Sequence, residues 1–289
     1  MPHPCAGTCA SRAARYADVD ARLQRRVQRY GWDKAADDYE RFWAAQLRPA
    51  QDLLLSLADV QSGERVLDVA CGTGLVSLRA ASAAGPGGQV VGVDISEGMV
   101  ERAREEAARQ GVRHATFQRM DAETLDVPDA QFGLAICALG LMYVPDPVAA
   151  LREMHRAVAP GGRAVAAVWG ARTRCGWAEI FPIVESRVHS DVCPMFFRLG
   201  TGDALMRAFL DAGFTNTRME RISTVLAYDN EVQAVGAAFA GGPVAMAYSR
   251  FDEPMRQAAH AEYVESIAAF RRGTGYEVPG EFVVVRGDR

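Results

Sequence analysis

Val66-Leu67-Asp68-Val69-Ala70-Cys71-Gly72-Thr73-Gly74 is the stretch whose reading decides the fold. An apolar run carrying one acid ends in a glycine-rich turn. Helix-forming residues then follow over 75–84, until Gly85-Pro86-Gly87-Gly88 breaks the pattern. The order is strand, tight turn, helix. Glycines at 72 and 74 let the backbone approach a ligand closely, and free N–H groups at a helix start favour a carboxylate or phosphate. A Gly-x-Gly also fits a dinucleotide site and hence an NAD-dependent dehydrogenase. That fingerprint wants a third glycine near position 77, where this chain has Ser77.

Outward from this stretch the same alternation repeats. Residues 90–94 form a second strand-like run ending at Asp94, and Ser96 is a natural N-cap for a helix over 97–110 that Gly111 stops. Residues 114–118 give a third strand. Residues 132–138 give a fourth, nearly devoid of polar side chains, as a strand buried on both faces requires. Asp146-Pro147 reads as N-cap and N1 proline, with Val148, Leu151, Met154 and Val158 on one face of the following helix. Pro160-Gly161-Gly162 then turns the chain into a fifth strand over 163–169. Strands alternating with helices predict an α/β, doubly wound parallel sheet.

After Gly170 the rhythm changes. Residues 171–200 are aromatic-rich and read as an inserted cap. Helices are expected over 203–213, 231–239 and 254–271, with strands over 218–227 and 282–286. Neither a repeat nor a linker marks a second domain. Residues 1–289 are therefore expected to form one domain, with 1–50 as a helical lid and 171–200 and 229–275 as cap insertions.

Composition narrows the function classes. With 49% hydrophobic and 24% charged residues the chain can bury a core and is not wholly disordered. Lys+Arg 32 against Asp+Glu 36 gives a net charge of −4, so no basic field gathers nucleic acid or an acidic membrane. No apolar run reaches the ~18–20 residues of a membrane span. The six cysteines do not form a disulfide framework. Cys71 and Cys137 sit in strand-like surroundings, and Cys5 and Cys9 lack a second Cys/His pair at zinc-like spacing, so no metal is expected. The start lacks the apolar core of a secretory signal. Residues 1–29 are arginine-rich with only Asp18 and Asp20 as acids, which reads as an amphipathic helix, with a cleaved transit peptide as the alternative. A cytoplasmic location is expected.

One acid accompanies each of the first three strands: Asp68 within the first, Asp94 ending the second, and Asp121 after the third. A carboxylate at 94 can accept both ribose hydroxyls of an adenosine. Asp121 could take the adenine amino group while the Ala122 N–H meets a ring nitrogen.

These motifs resemble those of class I S-adenosylmethionine-dependent methyltransferases, in particular the small-molecule branch that includes the ubiquinone/menaquinone C-methyltransferases. VLDVACGTG is similar to that family's first motif, with Ala70 where glycine is usual. GVDIS (92–96) resembles the ribose motif, and RMDAETLDVPDAQFG (119–133) the adenine motif. Residues 137–163 are similar to the stretch ending in the Pro-Gly-Gly turn. The resemblance covers roughly residues 30–170 and is diffuse beyond. It implies a Rossmann-like, seven-stranded sheet with its last strand antiparallel, and S-adenosyl-L-methionine as cofactor, released as S-adenosyl-L-homocysteine. It further implies cofactor contacts from Asp68, Ala70, Gly72, Gly74, Asp94, Ile95, Met99, Asp121, Ala122 and Cys137, with Tyr39 closing over the cofactor.

The acceptor pocket is expected from Trp32, Trp43, Met142, Trp169, Trp177, Phe181, Phe196 and Phe197. This aromatic set favours an apolar or aromatic acceptor over a sugar or a highly charged one. Tyr143 and His189 are the candidates for catalytic proton transfer, whereas His155 falls on the apolar stripe of its helix. The expected activity is methyl transfer to O, N or C of a small molecule. Alternatives are a protein of the same fold with non-methylating chemistry (a decarboxylase or cyclase), a cofactor-binding module, or an RNA or protein methyltransferase. Enzymes that methylate base amines place Asp/Asn-Pro-Pro-aromatic after the fourth strand, where this chain has Leu139-Gly140-Leu141-Met142. The expected partners are a small-molecule acceptor and a second copy in a homodimer, with no nucleic acid.

Overall fold

The computed structural model describes residues 21–188 and 196–289. Cys5, Cys9, the start of the N-terminal lid and His189 lie outside the described residues. The first element is α1 (Ala21–Ala58), 38 residues long. Its buried Trp43, Leu47, Ala50, Leu54 and Ala58 recur every three or four residues, the stripe of a helix lying on a core. That stripe continues past Pro49, so the helix runs beyond the lid expected over 1–50 and delivers the chain to the sheet.

Parallel strands and helices then alternate. They are β1 (Arg65–Val69), α2 (Leu75–Ala84), β2 (Gln89–Asp94), α3 (Glu97–Arg109), β3 (Ala115–Arg119), β4 (Phe132–Ala138), α4 (Pro147–Ala157) and β5 (Val158–Trp169). Ser96 caps α3 by accepting the Met99 N–H, and Asp146 caps α4 by accepting from Val148 and Ala149. Each such cap is worth about 1 kcal/mol. Alternate residues of the strands face two apolar layers. Val66, Leu134 and Val165 pack with Leu54, Leu78 and Phe117, while Leu67, Ala135 and Ala164 pack with Leu47, Leu151 and Phe209.

The remaining elements are α5 (Ile180–Glu185), α6 (Ala204–Asp211), β6 (Thr215–Tyr228), α7 (Glu231–Phe239), α8 (Ala245–Tyr248), α9 (Glu253–Ser266), β7 (Arg271–Arg272) and β8 (Gly275–Asp288). The sheet order is β3-β2-β1-β4-β5-β8-β6, and the two-residue β7 pairs with β8. β8 runs antiparallel to β5 and to β6, as expected for the last strand, but is much longer than 282–286. The helix expected over 254–271 stops at Ser266 because Arg271 pairs with Tyr276 and draws the chain into a hairpin. β5 begins before the Pro-Gly-Gly turn because Val158 already pairs with Phe132, and the register then shifts. Among the described residues no helix is long and apolar enough to cross a membrane.

The topology fixes where a ligand can sit. β1 lies between β2 and β4, so the strand order reverses there, and a crevice opens beyond the carboxyl ends of these strands.

Candidate active site

A cavity in this crevice is lined by the residues that follow β1, β2, β3 and β4 and by residues of α1. Its floor is the turn after β1. Ala70 has φ 56°, Gly72 φ 55° and Gly74 φ 87°, so the chain passes three times through the left-handed region that side chains resist. Ala70 is tolerated because the chain facing it gives way: a Cβ on Gly140 would stand 2.4 Å from the Ala70 Cβ. At Gly72 a Cβ would meet nothing within 4 Å, and both Ala70 and Gly72 line the cavity. The floor is thus bare backbone, open to a ligand.

Asp94 anchors that turn. Its Oδ2 accepts the Gly72 N–H at 2.9 Å and its Oδ1 the Ser96 N–H at 2.9 Å. Burial raises its pKa above the ordinary carboxylate value, and the N–H donors of Ser96 and Gly72 oppose that rise. Each oxygen still has a lone pair for a hydroxyl donor. Ile95, Met99 and Tyr39 line the cavity beside it. Tyr39 is raised above the usual phenol value by burial and by the Asp94 charge, so it stays protonated.

The N-terminal helix is tied down along the same rim. Asp33 accepts from the Ser96 hydroxyl at 2.6 Å and from the Gly98 N–H at 3.2 Å, adding a carboxylate to the N-terminus of α3. Arg25 pairs with Asp121 at 2.9 Å and with Glu123 at 2.6 Å. Asp121 and Ala122 line the cavity, and one oxygen of Asp121 already faces the Arg25 guanidinium on α1.

Opposite this polar rim stands an aromatic wall. Trp32, Trp43, Trp169, Trp177, Phe196 and Met142 line the cavity with Tyr143. Tyr143 stands edge-on to Trp32 at 5.1 Å and to Phe196 at 5.4 Å. Trp169 and Trp177 meet at 4.9 Å, and Trp43 contacts both at 5.9 Å. These rings come from α1, the segment after β4, β5 and the segment after β5, so only the tertiary fold assembles them.

Five sequence candidates fall outside the cavity lining. Asp68 is fully buried within β1, where its Oδ2 accepts the Ser77 hydroxyl. Its pKa is pushed up to about 7, chiefly by burial and further by the Asp94 charge, against the Ser77 hydrogen bond. It braces the β1–α2 junction and does not reach the crevice. Gly74 turns the chain into α2, with Ala103 and Phe117 packed against it. Cys137 points into the core with its thiol pushed up to about 12 by burial, while its neighbours Ala138 and Leu139 reach the cavity. Phe181 and Phe197 pack behind Trp177 and Phe196, at 5.7 Å and 4.8 Å. His155 packs edge-on to Phe214 at 5.0 Å, away from the site.

Other lining residues had no signal in the sequence reading. Arg25 and Gln28 reach the cavity from α1, and Gly241-Gly242-Pro243 between α7 and α8 completes the wall. Asp33 stands just behind it. Only Gly140 could have been found locally, from the small residue demanded by an alanine at position 70.

A sequence profile described as a methyltransferase domain matches residues 66–162, the β1–β5 region. The aklanonic acid methyltransferase of Streptomyces sp. (strain C5) is 36% identical over 132 residues, 46% of this chain and 60% of its own length. The demethylmenaquinone methyltransferase of Geobacillus kaustophilus is 31% identical over 163 residues, 55% of this chain and 69% of its own length. The chain belongs to the S-adenosylmethionine-dependent methyltransferases. It spans 60% of the first relative's length. Among solved structures, the [4+2]-cyclase SpnF superposes with a TM-score of 0.56 at 22% identity, over 83% of this chain and 80% of that one. That likeness shows a shared fold alone. The donor set suits the methyltransferase cofactor: a backbone cradle at Gly72, a buried carboxylate at Asp94 with lone pairs to spare, and apolar Met99 and Met120 beside them.

Proposed function

We propose that this chain transfers the methyl group of S-adenosylmethionine to O, N or C of a small, apolar or aromatic acceptor. The observation that carries this reading is the continuity of the cavity. The rim of Ala70, Gly72 and Asp94 passes without a break into the wall of Trp32, Trp43, Tyr143, Trp169, Trp177 and Phe196. Relatives are named for aklanonic acid and demethylmenaquinone as their acceptors, which supports a small molecule here too. A net charge of −4 accords with that choice over a nucleic acid.

When bound, S-adenosylmethionine supplies an electrophilic methyl group on a sulfonium. Asp94 would accept the ribose hydroxyls, with Met99 and Ala122 against the adenine, Asp121 at its edge, and Ala70 and Gly72 along the methionine moiety. The aromatic wall would fix the acceptor in line and exclude water. Alignment of this kind supplies up to about 7–11 kcal/mol of a barrier without a dedicated acid or base. The Tyr143 hydroxyl, in a residue of this wall, would take or hold a proton of the acceptor.

The test is to incubate the protein with methyl-labelled cofactor and a panel of small aromatic phenols, amines and enolisable ketones. Label transfer with stoichiometric S-adenosylhomocysteine release is expected. Conversion of an acceptor without that release would favour the cyclase or decarboxylase reading that the SpnF fold keeps open. Tight binding of NADH and none of S-adenosylhomocysteine would favour a dehydrogenase.

A further inference from the structure

Trp177 stands in the loop between β5 and α5, where the neighbouring Gly176 N–H donates to the Pro279 carbonyl at 2.8 Å and fixes the loop against β8. Its ring is packed on every side by Trp43, Trp169, Phe181, Phe196 and Phe197, and only 3% of the residue is exposed. It lines the cavity, yet its Nε1 is buried without a hydrogen-bond partner. The other indoles from the lid differ. Trp43 donates to the Ala237 carbonyl at 3.2 Å, and Trp32 donates to Gln28 Oε1 at 3.2 Å. An indole N–H is a donor only and cannot be satisfied by re-orienting itself as an acceptor. Leaving such a group buried and unpaired is costly, and native structures rarely do so without a reason.

The Gln28 amide nitrogen, also in the lining, is a second buried donor without a partner. Gln24, one turn earlier on α1, carries an unpaired oxygen, and side chains four residues apart on a helix are neighbours. Among the described residues, no hydrogen-bond acceptor meets Trp177 Nε1. Its ring neighbours offer only π-faces, which are weak acceptors.

We infer that Trp177 is a specificity-determining residue that donates its indole N–H to an oxygen of the methyl acceptor, so the acceptor is a ring compound bearing a carbonyl, enolate or phenolate oxygen. This deepens the methyl-transfer reading and rests on it. The aromatic wall recognises the ring, and the single N–H selects rings carrying an acceptor atom at one place. The bound oxygen also fixes the rotation of the ring about the normal to its plane, which apolar contacts leave free.

The experiment compares 1-tetralone with tetralin, two bicyclic probes of one shape that differ in the carbonyl. Binding is measured by titration calorimetry on the full chain saturated with S-adenosylhomocysteine, for the wild type and for Trp177→Phe. The wild type should prefer tetralone by about tenfold, the scale of one buried hydrogen bond to a donor otherwise unpaired. Trp177→Phe should bind both probes equally, at the tetralin affinity, with unchanged S-adenosylhomocysteine affinity. A preference that survives the substitution overturns the inference while leaving the methyl-transfer reading intact. Failure of both probes to bind a wild type that takes S-adenosylhomocysteine removes the aromatic-acceptor reading, and this inference with it. Should Trp177→Phe not fold, the indole ¹H–¹⁵N resonance of wild-type Trp177 decides. It should move downfield with tetralone and stay with tetralin, and an equal response to both refutes the hydrogen bond.

Discussion

Gly140→Ala and Ala70→Gly, alone and together, test whether the cavity floor is held by one steric pair. A Cβ at position 140 would stand 2.4 Å from the Ala70 Cβ and 3.0 Å from the Cys137 Sγ. Carbon atoms prefer about 3.5–4.0 Å, so one backbone must retreat by roughly an ångström. Overpacking of this kind costs about 1–3 kcal/mol, and two methyls fixed to main chain belong at the upper end. Ala70→Gly relieves a left-handed φ of 56° and should stabilise by about 0.5–1 kcal/mol after the extra freedom of the unfolded chain is set against it. In that background the new methyl meets the Cα of residue 70 at an ordinary 3.7 Å, and only the contact with Cys137 stays tight. The cost of Gly140→Ala should then fall below about 1 kcal/mol, a coupling of roughly 1–2 kcal/mol. Urea unfolding of the four proteins measures this, and S-adenosylhomocysteine titration should show the same pattern, because both residues line the cavity. If the two changes add within about 0.5 kcal/mol, the methyls do not meet and this account of Ala70 is wrong.

Asp94→Ala should weaken S-adenosylhomocysteine by about 1.5–3 kcal/mol and also destabilise the fold, since the Gly72 and Ser96 N–H groups lose their acceptor; unchanged affinity by calorimetry would refute the ribose assignment. Asp68→Asn probes the buried carboxylate, whose pKa rises from 3.8 to about 7 on folding. A raised folded-state pKa in an acid means that folding favours the protonated form, so wild-type stability falls as pH climbs from about 4 to about 7 and is level above. The variant should lack that loss of up to about 4 kcal/mol, and equal slopes of unfolding free energy against pH would sink the idea. Tyr143→Phe should lower the turnover rate with little change in cofactor affinity; a wild-type rate would leave Tyr143 as packing.

The parallel half of the fold was legible because its signals are local. The acid-bearing strand, the glycine turn and the caps at Ser96 and Asp146 each act within a few residues, and the structure uses each within that span. Asp68 misled for a physical reason. Mid-strand side chains of a sheet covered on both faces point into helices and not toward the strand ends, and Asp68 finds Ser77 on α2. Ser77 was read only as a missing glycine, yet it is the donor that this buried acid needs. Arg25, Asp33 and Gly241-Gly242-Pro243 were illegible because nothing near them in sequence sets their distance from β2 or β3. Their positions follow from how α1 and the cap dock.

That docking explains why the site has so few polar groups. Among the described residues lining the cavity, the charged side chains are Arg25, Asp94 and Asp121, all on the rim by β2 and β3. Arg25 and Asp121 hold each other, and Asp94 holds backbone. The acceptor side is left to rings, which remove water and lower the local dielectric, so a single N–H or hydroxyl there acts more strongly than it would in water. A pocket built this way distinguishes acceptors by shape and by one or two acceptor atoms. The proposed methyl transfer therefore predicts that substitutions at Trp177 and Tyr143 change the preference among acceptors, and that substitutions in the rim alter cofactor affinity across all acceptors alike.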